Sequence, residues 1–328
     1  MTNEVKESVY MKAKLNNISD KPFLSLITVN YNGFEDTCQM IDSFYHTVKS
    51  IDYEIIVVDN CSLRNESDML KKKYPFIRVI SSTYNRGFAG GNNLGIKYAR
   101  GNYLLFLNND TYILEDNFAI LIKTLETDTS LAGLSPLIRY AEEGHPIQYA
   151  GYSPLSRFTL RNHSYNQEKD IEEWDKPKES PYMHGAAMLV KTEICKLVGG
   201  LPEMYFLYYE EFDWSVSINR VGYKILFDPR QTVYHKESRS TGQNSPMKVY
   251  YMMRNRLLYA YRNRQVLDRF WCFLYLLFIA VPVNCFRYFM NGNFYLINAT
   301  LRGMWDYFKL KKEDKLENYD FKYFYIGI

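Results

Sequence analysis

The chain has 328 residues, of which 47% are hydrophobic, enough to build a sizeable core in one or two domains. Its 40 basic and 37 acidic residues give a formal net charge of +3, which excludes the strongly basic balance of a general nucleic-acid-binding protein. The five cysteines show no C-x-x-C spacing, which argues against a disulfide framework or a zinc site. We therefore expect a cytoplasmic protein with no nucleic-acid partner.

The regular part of the sequence begins at Phe23. Residues 1–22 are polar and mixed in charge, without the apolar stretch of a secretory signal, so we expect a loose lead-in there. From Phe23, "FLSLITVN" predicts a strand, "EDTCQMIDSFYHTV" a helix and "YEIIVVDN" a second strand. This is the pattern of a βαβ unit.

The alternation of strands and helices continues for another 50 residues. A polar helix around "ESDMLKKKY", a short strand "IRVISS", a loop rich in Gly and Asn, a helix near "NNLGIKYAR" and a strand "NYLLFLN" follow in order. Strands that are apolar on both faces and alternate with helices predict a parallel sheet covered on both sides. Such sheets bind ligands beyond the carboxyl ends of their strands.

After about residue 130 the pattern changes. Residues 156–181 form a long polar stretch, and "YMHGAAMLVK" predicts that the sheet resumes. A helix "EEFDWSVSINRV" and strands "YKILFDP" and "TVYH" follow. From Met247 the sequence is aromatic, basic and helical. We therefore predict a main domain over residues 23–242 and a helical region over residues 243–328.

Several acidic or imidazole side chains stand at predicted element ends. Asp59 ends the second strand, Asp110 follows "YLLFLNN", and His235 ends "TVYH". Asp110 with His235 would make a sparse site for Mn²⁺ or Mg²⁺, completed by a diphosphate. Either residue alone is more often a cap or a structural side chain, so only their pairing at one sheet edge favours the metal.

The stretch "NRGFAGGNNLG" opens a predicted helix, which invites a phosphate-binding interpretation. Its glycines lack G-x-G-x-x-G spacing and follow a third strand, whereas the dinucleotide fingerprint follows a first strand. This disfavours a Rossmann dehydrogenase. A tight loop that needs positive φ at glycine remains the simpler interpretation.

Six motifs occur in an order that matches a known family: "LITVNYNG", "IIVVDNCS", "NRGFAGGNNLGIKYARGNYLLFLNND", "GAAMLVK", "GGLPEMYFLYYEEFDWSVSINRVGYKI" and "TVYHKESRST". Over roughly residues 23–240 the chain resembles the family 2 glycosyltransferases with the GT-A fold, particularly the rhamnosyltransferase-like branch of bacterial surface-polysaccharide synthesis. The resemblance implies an α/β fold, with a mostly parallel sheet flanked by helices and a C-terminal helical extension. It also implies a metal-dependent inverting enzyme that moves a sugar from dTDP-rhamnose or a UDP-hexose to a saccharide acceptor, in lipid-linked form for capsule or O-antigen synthesis.

The resemblance also assigns residues to the metal and the donor. Asp110 takes the last position of the family's D-x-D motif, although Asn108 stands where Asp is common, and His235 matches the histidine that can join the metal. Asp59 matches the acidic residue that hydrogen-bonds the pyrimidine. The full set of implied donor contacts is Val29, Asn30, Tyr31, Asp59, Asn85, Gly87, Phe88, Asn93 and Asn109.

The family's "ED" motif falls on Glu210 and Glu211, so Glu stands at the second position where Asp is usual. An inverting transfer needs a carboxylate to take the proton of the acceptor hydroxyl. We assign Glu211 as this base, with Glu210 as the alternative because the extra methylene moves the carboxylate. Adjacent acids in a helix's first turn could also simply complement the helix dipole.

The C-terminal region raises the question of a membrane. The segment "WCFLYLLFIAVPV" has only 13 residues and we expect Pro282 to interrupt it, so we predict that it does not span a bilayer. Arginines interleaved with Tyr, Trp and Phe suit helices lying in an anionic membrane interface, at the inner face of the cell membrane. The other interpretations are packing on the main domain or on a second copy in a homodimer.

Two other functions fit parts of the sequence. A sugar-phosphate nucleotidyltransferase shares the α/β architecture, but it would carry a Gly-rich basic signature near the first strand, and "VNYNGFEDT" lacks one. A non-catalytic scaffold that binds nucleotide sugars is suggested by Asn108 and Glu211, which depart from the family pattern.

Overall fold

The computed structural model describes residues 23–165, 175–237, 245–312 and 314. The strands are β1 (Leu24–Asn30), β2 (Tyr53–Asp59), β3 (Arg78–Ser81), β4 (Tyr103–Leu107), β5 (Thr111–Tyr112), β6 (Leu131–Tyr140), β7 (Ile147–Tyr149), β8 (Lys178–Glu179), β9 (Ala187–Lys191) and β10 (Lys224–His235). The helices are α1 (Phe34–Thr47), α2 (Glu66–Lys73), α3 (Gly87–Ile96), α4 (Phe118–Thr127), α5 (Thr192–Val198), α6 (Glu210–Arg220), α7 (Pro246–Asn263), α8 (Val266–Met290) and α9 (Phe294–Lys309).

The described strands form a single sheet whose main order is β3-β2-β1-β4-β9-β6-β10-β5. The strands β3, β2, β1 and β4 are parallel, and β10 is parallel to β6. Strand β9 runs antiparallel to both of its neighbours, β4 and β6. The predicted α/β sheet is confirmed, but it is mixed rather than mostly parallel, with the parallel arrangement concentrated on the side that holds β1 and β2.

Helices cover both faces of the sheet, which explains why its central strands are apolar throughout. On one face α1, α2 and α4 pack against alternate residues of the strands, with Phe44 and Phe118 completely buried. On the other face α3, α5 and α6 pack around Phe106 and Trp214, whose rings meet edge to face. The sheet is thus held rigidly between two cores, and its carboxyl edge is free to carry a site.

Two predicted boundaries are corrected. Helix α3 begins at Gly87, so the Gly-rich stretch forms its first turns rather than a loop. Its glycines allow close packing on β1, because a Cβ on Gly95 would lie 2.4 Å from Ile27 Cγ2. The two strands predicted over residues 223–235 are a single strand, β10, with an irregularity between Asp228 and Thr232.

The predicted domain boundary falls within residues 238–244, which lie outside the described residues. Helix α7 begins just after them, with Ser245 Oγ accepting a hydrogen bond from the Lys248 amide. The division at residues 242 and 243 stays a prediction, as does the lead-in over residues 1–22, which is also outside the described part.

The prediction that Pro282 interrupts the apolar C-terminal segment is wrong. Helix α8 runs through it for 25 residues, with a π-helical turn at Leu276–Ala280 directly before Val281. A π turn shifts the backbone hydrogen-bond pattern, which accommodates a proline without ending the helix. By length and composition α8 could therefore cross a membrane, and only 22% of its most apolar 18-residue window is buried, whereas a core helix would be mostly buried.

Candidate active site

A cleft of about 300 Å³ opens at the carboxyl edge of the parallel strands. Its walls come from the segments that follow β1, β2 and β4 and from the start of α3, with Phe206, Leu207 and Met247 closing one side. Seven of the predicted donor and metal residues line it: Val29, Tyr31, Asn85, Gly87, Phe88, Asn109 and Asp110. The other predicted donor and metal residues, Asn30, Asp59, Asn93 and His235, are buried and are not among the residues that line the cleft.

Asn30 and Asp59 occupy paired positions at the ends of β1 and β2. Asn30 Nδ2 donates to Asp59 Oδ1 at 3.2 Å and to Glu66 Oε2 at 2.8 Å, and both Asn30 and Asp59 are buried. Ser62 Oγ donates to the same Asp59 oxygen. Asp59 is therefore fixed in place by neighbours, and Glu66 and Ser62 are supporting residues that the sequence did not reveal.

The loop before α3 is held by a buried asparagine. Asn60 Nδ2 donates to Asn85 Oδ1 and to the Gly87 carbonyl, each at 3.0 Å, and Asn60 Oδ1 accepts from the Arg86 amide. Gly87 has a φ of +68°, and a Cβ there would lie 2.1 Å from the Phe206 carbonyl oxygen. Only glycine fits this position, which confirms the positive φ expected from the sequence.

Asn93 is fully buried and has a structural environment. Its Nδ2 donates to the Leu201 carbonyl at 2.8 Å and to Glu203 Oε1 at 3.0 Å, while its Oδ1 accepts from the Leu201 amide. These bonds tie α3 to the segment that leads into α6. The polar groups of its side chain are therefore occupied by partners within the protein.

Asp110 and His235 come together as predicted. His235 Nε2 lies 3.2 Å from Asp110 Oδ1, because β5 and β10 pair antiparallel at this edge. His235 Nδ1 lies 2.9 Å from Gln148 Oε1 of β7, an oxygen that accepts only from a protonated Nδ1. A protonated Nε2 donates to Asp110, and in the neutral ring Nε2 instead has a lone pair that a cation could take.

The surroundings of Asp110 favour the charged form of its carboxyl, which is the form that binds a cation. Burial by itself would raise its pKa, but the hydrogen bond and charge interaction with His235, with help from Lys236, hold the pKa of Asp110 below its ordinary value. Lys236 Nζ also contacts Asp36 on the cleft lining. Lys236 is a cation at the rim that the sequence did not single out.

The side chains of Asp110 and His235 suit a divalent cation that takes most of its ligands from phosphates and water. In the described part of the chain, no group of three or more His, Cys, Asp or Glu side chains is placed to hold a metal ion. One carboxylate oxygen and one imidazole nitrogen, 3.2 Å apart, suit Mn²⁺ or Mg²⁺ that takes its remaining ligands from phosphates and water. Asn108 Nδ2 lies 3.4 Å from His235 Nε2, so the amide at the first motif position borders the same point.

Glu210 and Glu211 begin helix α6 but differ in exposure. Glu210 is buried, and among the described residues its Oε2 has no hydrogen-bond partner. Burial, and then the charge of Glu211, raises the pKa of Glu210 well above its ordinary value. Glu211 is half-buried, and burial raises its pKa to about 7. A carboxyl with this pKa is suited to accept a proton near neutral pH.

The backbone that presents this acidic pair is strained. Phe206, Tyr208 and Tyr209 have φ values of 65°, 70° and 76°, in the left-handed region that non-glycine residues rarely adopt. Asn255 Nδ2, on α7, donates to the carbonyls of Tyr205, Leu207 and Tyr208 at distances of 2.7–3.0 Å. The C-terminal helical region therefore supports the conformation that positions Glu210 and Glu211.

Tyr152 lies close enough to Glu211, and His184 close enough to His235, for the charges to interact. Burial, followed by the charge of Glu211, raises the pKa of Tyr152 well above its usual value. The Tyr152 ring stacks on His184 at 5.9 Å. Burial, with a smaller effect from the nearby His235, lowers the pKa of His184 to about 3, so this ring is neutral. Tyr152 and His184 thus link the surroundings of Glu211 to those of His235.

The same architecture occurs in known transferases. The mannosyltransferase PcManGT from Pyrobaculum calidifontis, in complex with GDP-Man and Mn²⁺, superposes with a TM-score of 0.54 at 16% identity, over 91% of this chain and 94% of that chain. GalNAc-T7, with UDP, GalNAc and Mn²⁺, superposes with a TM-score of 0.58 at 18% identity, over 74% of this chain and only 50% of that chain. The fold is therefore the GT-A fold.

The family follows from the sequence comparison. The model of glycosyl transferase family 2 matches residues 25–196, more than half of the 328 residues. The low-salt glycan biosynthesis hexosyltransferase Agl10 of Haloferax volcanii is 30% identical over 244 residues, which are 72% of this chain and 74% of the relative. The chain belongs to glycosyl transferase family 2, a family of enzymes that act in glycan, cell-wall or O-antigen biosynthesis.

A second relative is more distant in sequence. The N-acetylglucosaminyl-diphospho-decaprenol L-rhamnosyltransferase of Mycobacterium tuberculosis is 23% identical over 215 residues, which are 58% of this chain and 68% of the relative. Its name describes an acceptor sugar carried on a polyprenyl diphosphate.

Proposed function

We propose that this family 2 transferase is a metal-dependent inverting enzyme that moves a sugar from a nucleoside diphosphate to a saccharide acceptor. The observation that supports it most strongly is the pairing of Asp110 with His235 at the cleft edge, with Gln148 orienting the imidazole. dTDP-rhamnose and UDP-hexoses are the proposed donors. A rhamnosyltransferase among the relatives supports the first of these.

The donor side of the cleft is proposed to read the nucleotide. Tyr31 is exposed on the lining, where its ring can contact a base, and Asp59 has its carboxylate fixed by Asn30 and Ser62 at the ends of β1 and β2. Asn85 and Gly87 line the same cleft. A nucleoside would lie across these strand ends with its diphosphate directed toward Asp110.

Asp110 and His235 would hold the cation, and Gln148 would keep the imidazole in the tautomer that leaves Nε2 free. When bound, Mn²⁺ or Mg²⁺ supplies positive charge to the departing nucleoside diphosphate. Lys236 adds a second positive charge at the rim. Together these side chains bring positive charge to the point where the leaving group becomes more negative.

Glu211 is the proposed base. Its half-buried carboxyl, with a pKa of about 7, would take the proton of the acceptor hydroxyl as the oxygen attacks the anomeric carbon. Glu210 is buried more deeply and is proposed to stay neutral, since burial and the neighbouring charge both raise its pKa. The two acids would then have different roles despite being adjacent.

Tyr152 and His184 are proposed to border the acceptor. Their stacked rings offer an apolar face of the kind that packs on a sugar ring, and they interact electrostatically with Glu211 and His235 respectively. We propose that the acceptor is lipid-linked, as the name of the mycobacterial relative describes for that protein. The enzyme would then work at the cytoplasmic face of the cell membrane.

Nucleotide binding tests this proposal before any acceptor is known. Calorimetric titration with UDP and dTDP, with Mn²⁺ or with chelator, is expected to show tight binding only with the metal. Asp110→Ala should weaken the metal-dependent binding by roughly a hundredfold, because the diphosphate loses its counter-charge. The matched control is Asp128→Ala, since Asp128 is exposed in the turn between α4 and β6, at the opposite edge of the sheet.

Equal binding with metal and with chelator would overturn the metal role. Unchanged binding by Asp110→Ala, with the metal still required, would overturn the assignment of this ligand. Normal metal-dependent binding without any turnover on a panel of donors and acceptors would favour the non-catalytic scaffold instead.

A further inference from the structure

Helices α8 and α9 carry a broad apolar surface on the outside of the molecule. The exposed large side chains on α8 are Val266, Leu267, Phe270, Trp271, Phe278, Ile279, Val283, Phe286, Phe289 and Met290. Those on α9 are Phe294, Tyr295, Leu301, Trp305 and Phe308. We call this set the outer face. It is far larger than the scattered apolar residues expected on an ordinary protein surface.

One side of α8 and α9 packs on the rest of the molecule, and the outer face is the other side of these helices. On α8, Cys272, Leu276 and Ala280 are buried, whereas Phe278 and Phe286 are 70% and 67% exposed. Since α8 has 25 residues, its outer stripe is about 37 Å long. The helix therefore uses one side for the core and leaves a long apolar side without cover from the described residues.

Helix α9 extends the same surface. Its inner side is fixed to α7, where a Cβ on Gly303 would lie 2.4 Å from the Tyr250 carbonyl and Tyr250 Oη donates to Asp306 at 3.0 Å. Its other side exposes Trp305. The rings of Phe289 and Phe294 meet across the turn at 5.7 Å, so α8 and α9 form one continuous hairpin.

The charge around the outer face is positive. Over helices α8 and α9, residues 266–309, the sequence has four basic and two acidic residues. Both acidic residues are paired: Asp268 with Arg157 at 2.8 Å, and Asp306 with Lys309 at 3.5 Å. Arg287 is exposed between the phenylalanines of α8. A cationic rim around an apolar, aromatic surface is complementary to anionic lipid headgroups above acyl chains.

We propose that the outer face docks on an anionic lipid bilayer, with α8 and α9 lying in the interface. Trp271, Trp305 and Tyr295 have the amphipathic rings that favour headgroup depth. A spanning α8 is disfavoured because α9 stays bonded to α7, which itself holds the 205–208 backbone through Asn255. The inference does not rest on the proposed transfer reaction, although the bilayer would also carry a lipid-linked acceptor.

Vesicle binding of the purified full-length chain tests this docking. The bound fraction is measured by co-sedimentation with vesicles of phosphatidylcholine alone or with about one third phosphatidylglycerol. Binding is expected to the anionic vesicles and to fall with added salt. The triple variant Phe278→Gln, Phe286→Gln and Trp305→Gln should lower the partition coefficient by roughly a hundredfold, since it removes three large apolar contacts.

Two further variants sharpen the test. Leu197→Gln changes a comparably exposed apolar residue on α5, outside the outer face, and should bind vesicles like the wild type. Arg287→Glu with Lys309→Glu leaves the apolar residues intact and should lower anionic binding by roughly tenfold or more. This charge variant keeps the test valid if the triple variant fails to fold, as judged from its thermal melting curve.

Four results would overturn the proposal. The first is no sedimentation with either vesicle, and the second is an equal loss of binding in the Leu197→Gln control. The third is a lipid-free dimer that the triple variant converts to monomer while vesicle binding is unchanged, which would assign the outer face to a second copy. The fourth is retention of the chain in cell membranes after an alkaline wash, which would indicate a spanning α8.

Discussion

At the scale of single residues, Glu210 and Glu211 share a helix turn but not an environment. Glu210 is buried with an unpartnered oxygen among the described residues, and Glu211 is half-buried beside Tyr152. Adjacent helix positions point about 100° apart, so only one carboxylate can face an acceptor. The two environments favour Glu211 as the carboxylate that faces the acceptor.

Substitution of the two acids separates their roles. Glu211→Gln keeps the shape of the side chain but removes the proton acceptor, so the transfer rate should fall by roughly 10² to 10⁴-fold with little change in donor affinity. Glu210→Gln is the matched control and should keep most of the turnover, because a neutral amide resembles a neutral carboxylic acid. Steady-state transfer rates and donor titrations check both. If the Glu210 variant loses turnover and the Glu211 variant keeps it, the assignment is reversed.

The pH dependence of the reaction follows from the same carboxyl. Burial disfavours the charged form and raises the pKa of Glu211 to about 7, and a general base works only when deprotonated. The value of kcat/KM should therefore rise as the pH increases and be half-maximal near pH 7. A pH–rate profile of the wild type and of Glu211→Gln checks this. A limb at about pH 4 to 5, where an ordinary glutamate titrates, would contradict it.

At the scale of elements, α7 supports the segment that presents the acids. Asn255→Ala removes a donor from the carbonyls of Tyr205, Leu207 and Tyr208, in backbone that includes left-handed residues. We expect a loss of about 3 kcal/mol in the free energy of unfolding, and a lower transfer rate at temperatures where the protein is still folded. Chemical denaturation and kinetics measure the two effects. Asn298→Ala, an exposed change on α9, is the control, and equal losses in both variants would contradict the role of α7.

The elements that the sequence predicted well are those with a strong local pattern. Strands β1, β2 and β4 and the pairing of Asp110 with His235 follow from apolar runs that end in polar residues. The start of α3 was missed because its glycines resemble a loop, and the packing of Gly91 on Val29 and of Gly95 on Ile27 explains the helix. Continuity of α8 through Pro282 was missed because a local π turn, rather than composition, accommodates the proline.

Supporting residues were missed for a different reason. Gln148 is 87 positions from His235, and Asn255 is 47 positions from Tyr208, so their hydrogen bonds exist only in the folded chain. No local spacing marks such partners. The roles of Gln148, Asn255 and His184 can be recognised only when the fold places these side chains near the predicted site residues.

At the scale of the whole molecule, the proposed donor and metal sites lie at one sheet edge, and α7 bonds the backbone that presents Glu210 and Glu211. Met247, at the start of α7, lines the cleft, and Tyr251 stacks on Phe206 at 5.1 Å. The same helix packs against α9, which carries part of the outer face. A membrane-bound orientation would therefore fix the direction in which the cleft faces.

The release of nucleoside diphosphate from a panel of nucleotide sugars is the measurement that tests the central claim most directly. With Mn²⁺ and without acceptor, the wild-type chain should release the diphosphate slowly from at least one donor, with dTDP-rhamnose and UDP-hexoses the leading candidates. Release should stop with chelator and in Asp110→Ala, and continue in Asp128→Ala. Release from no donor, or release that survives both chelator and Asp110→Ala, would contradict a metal-dependent transferase centred on Asp110 and His235.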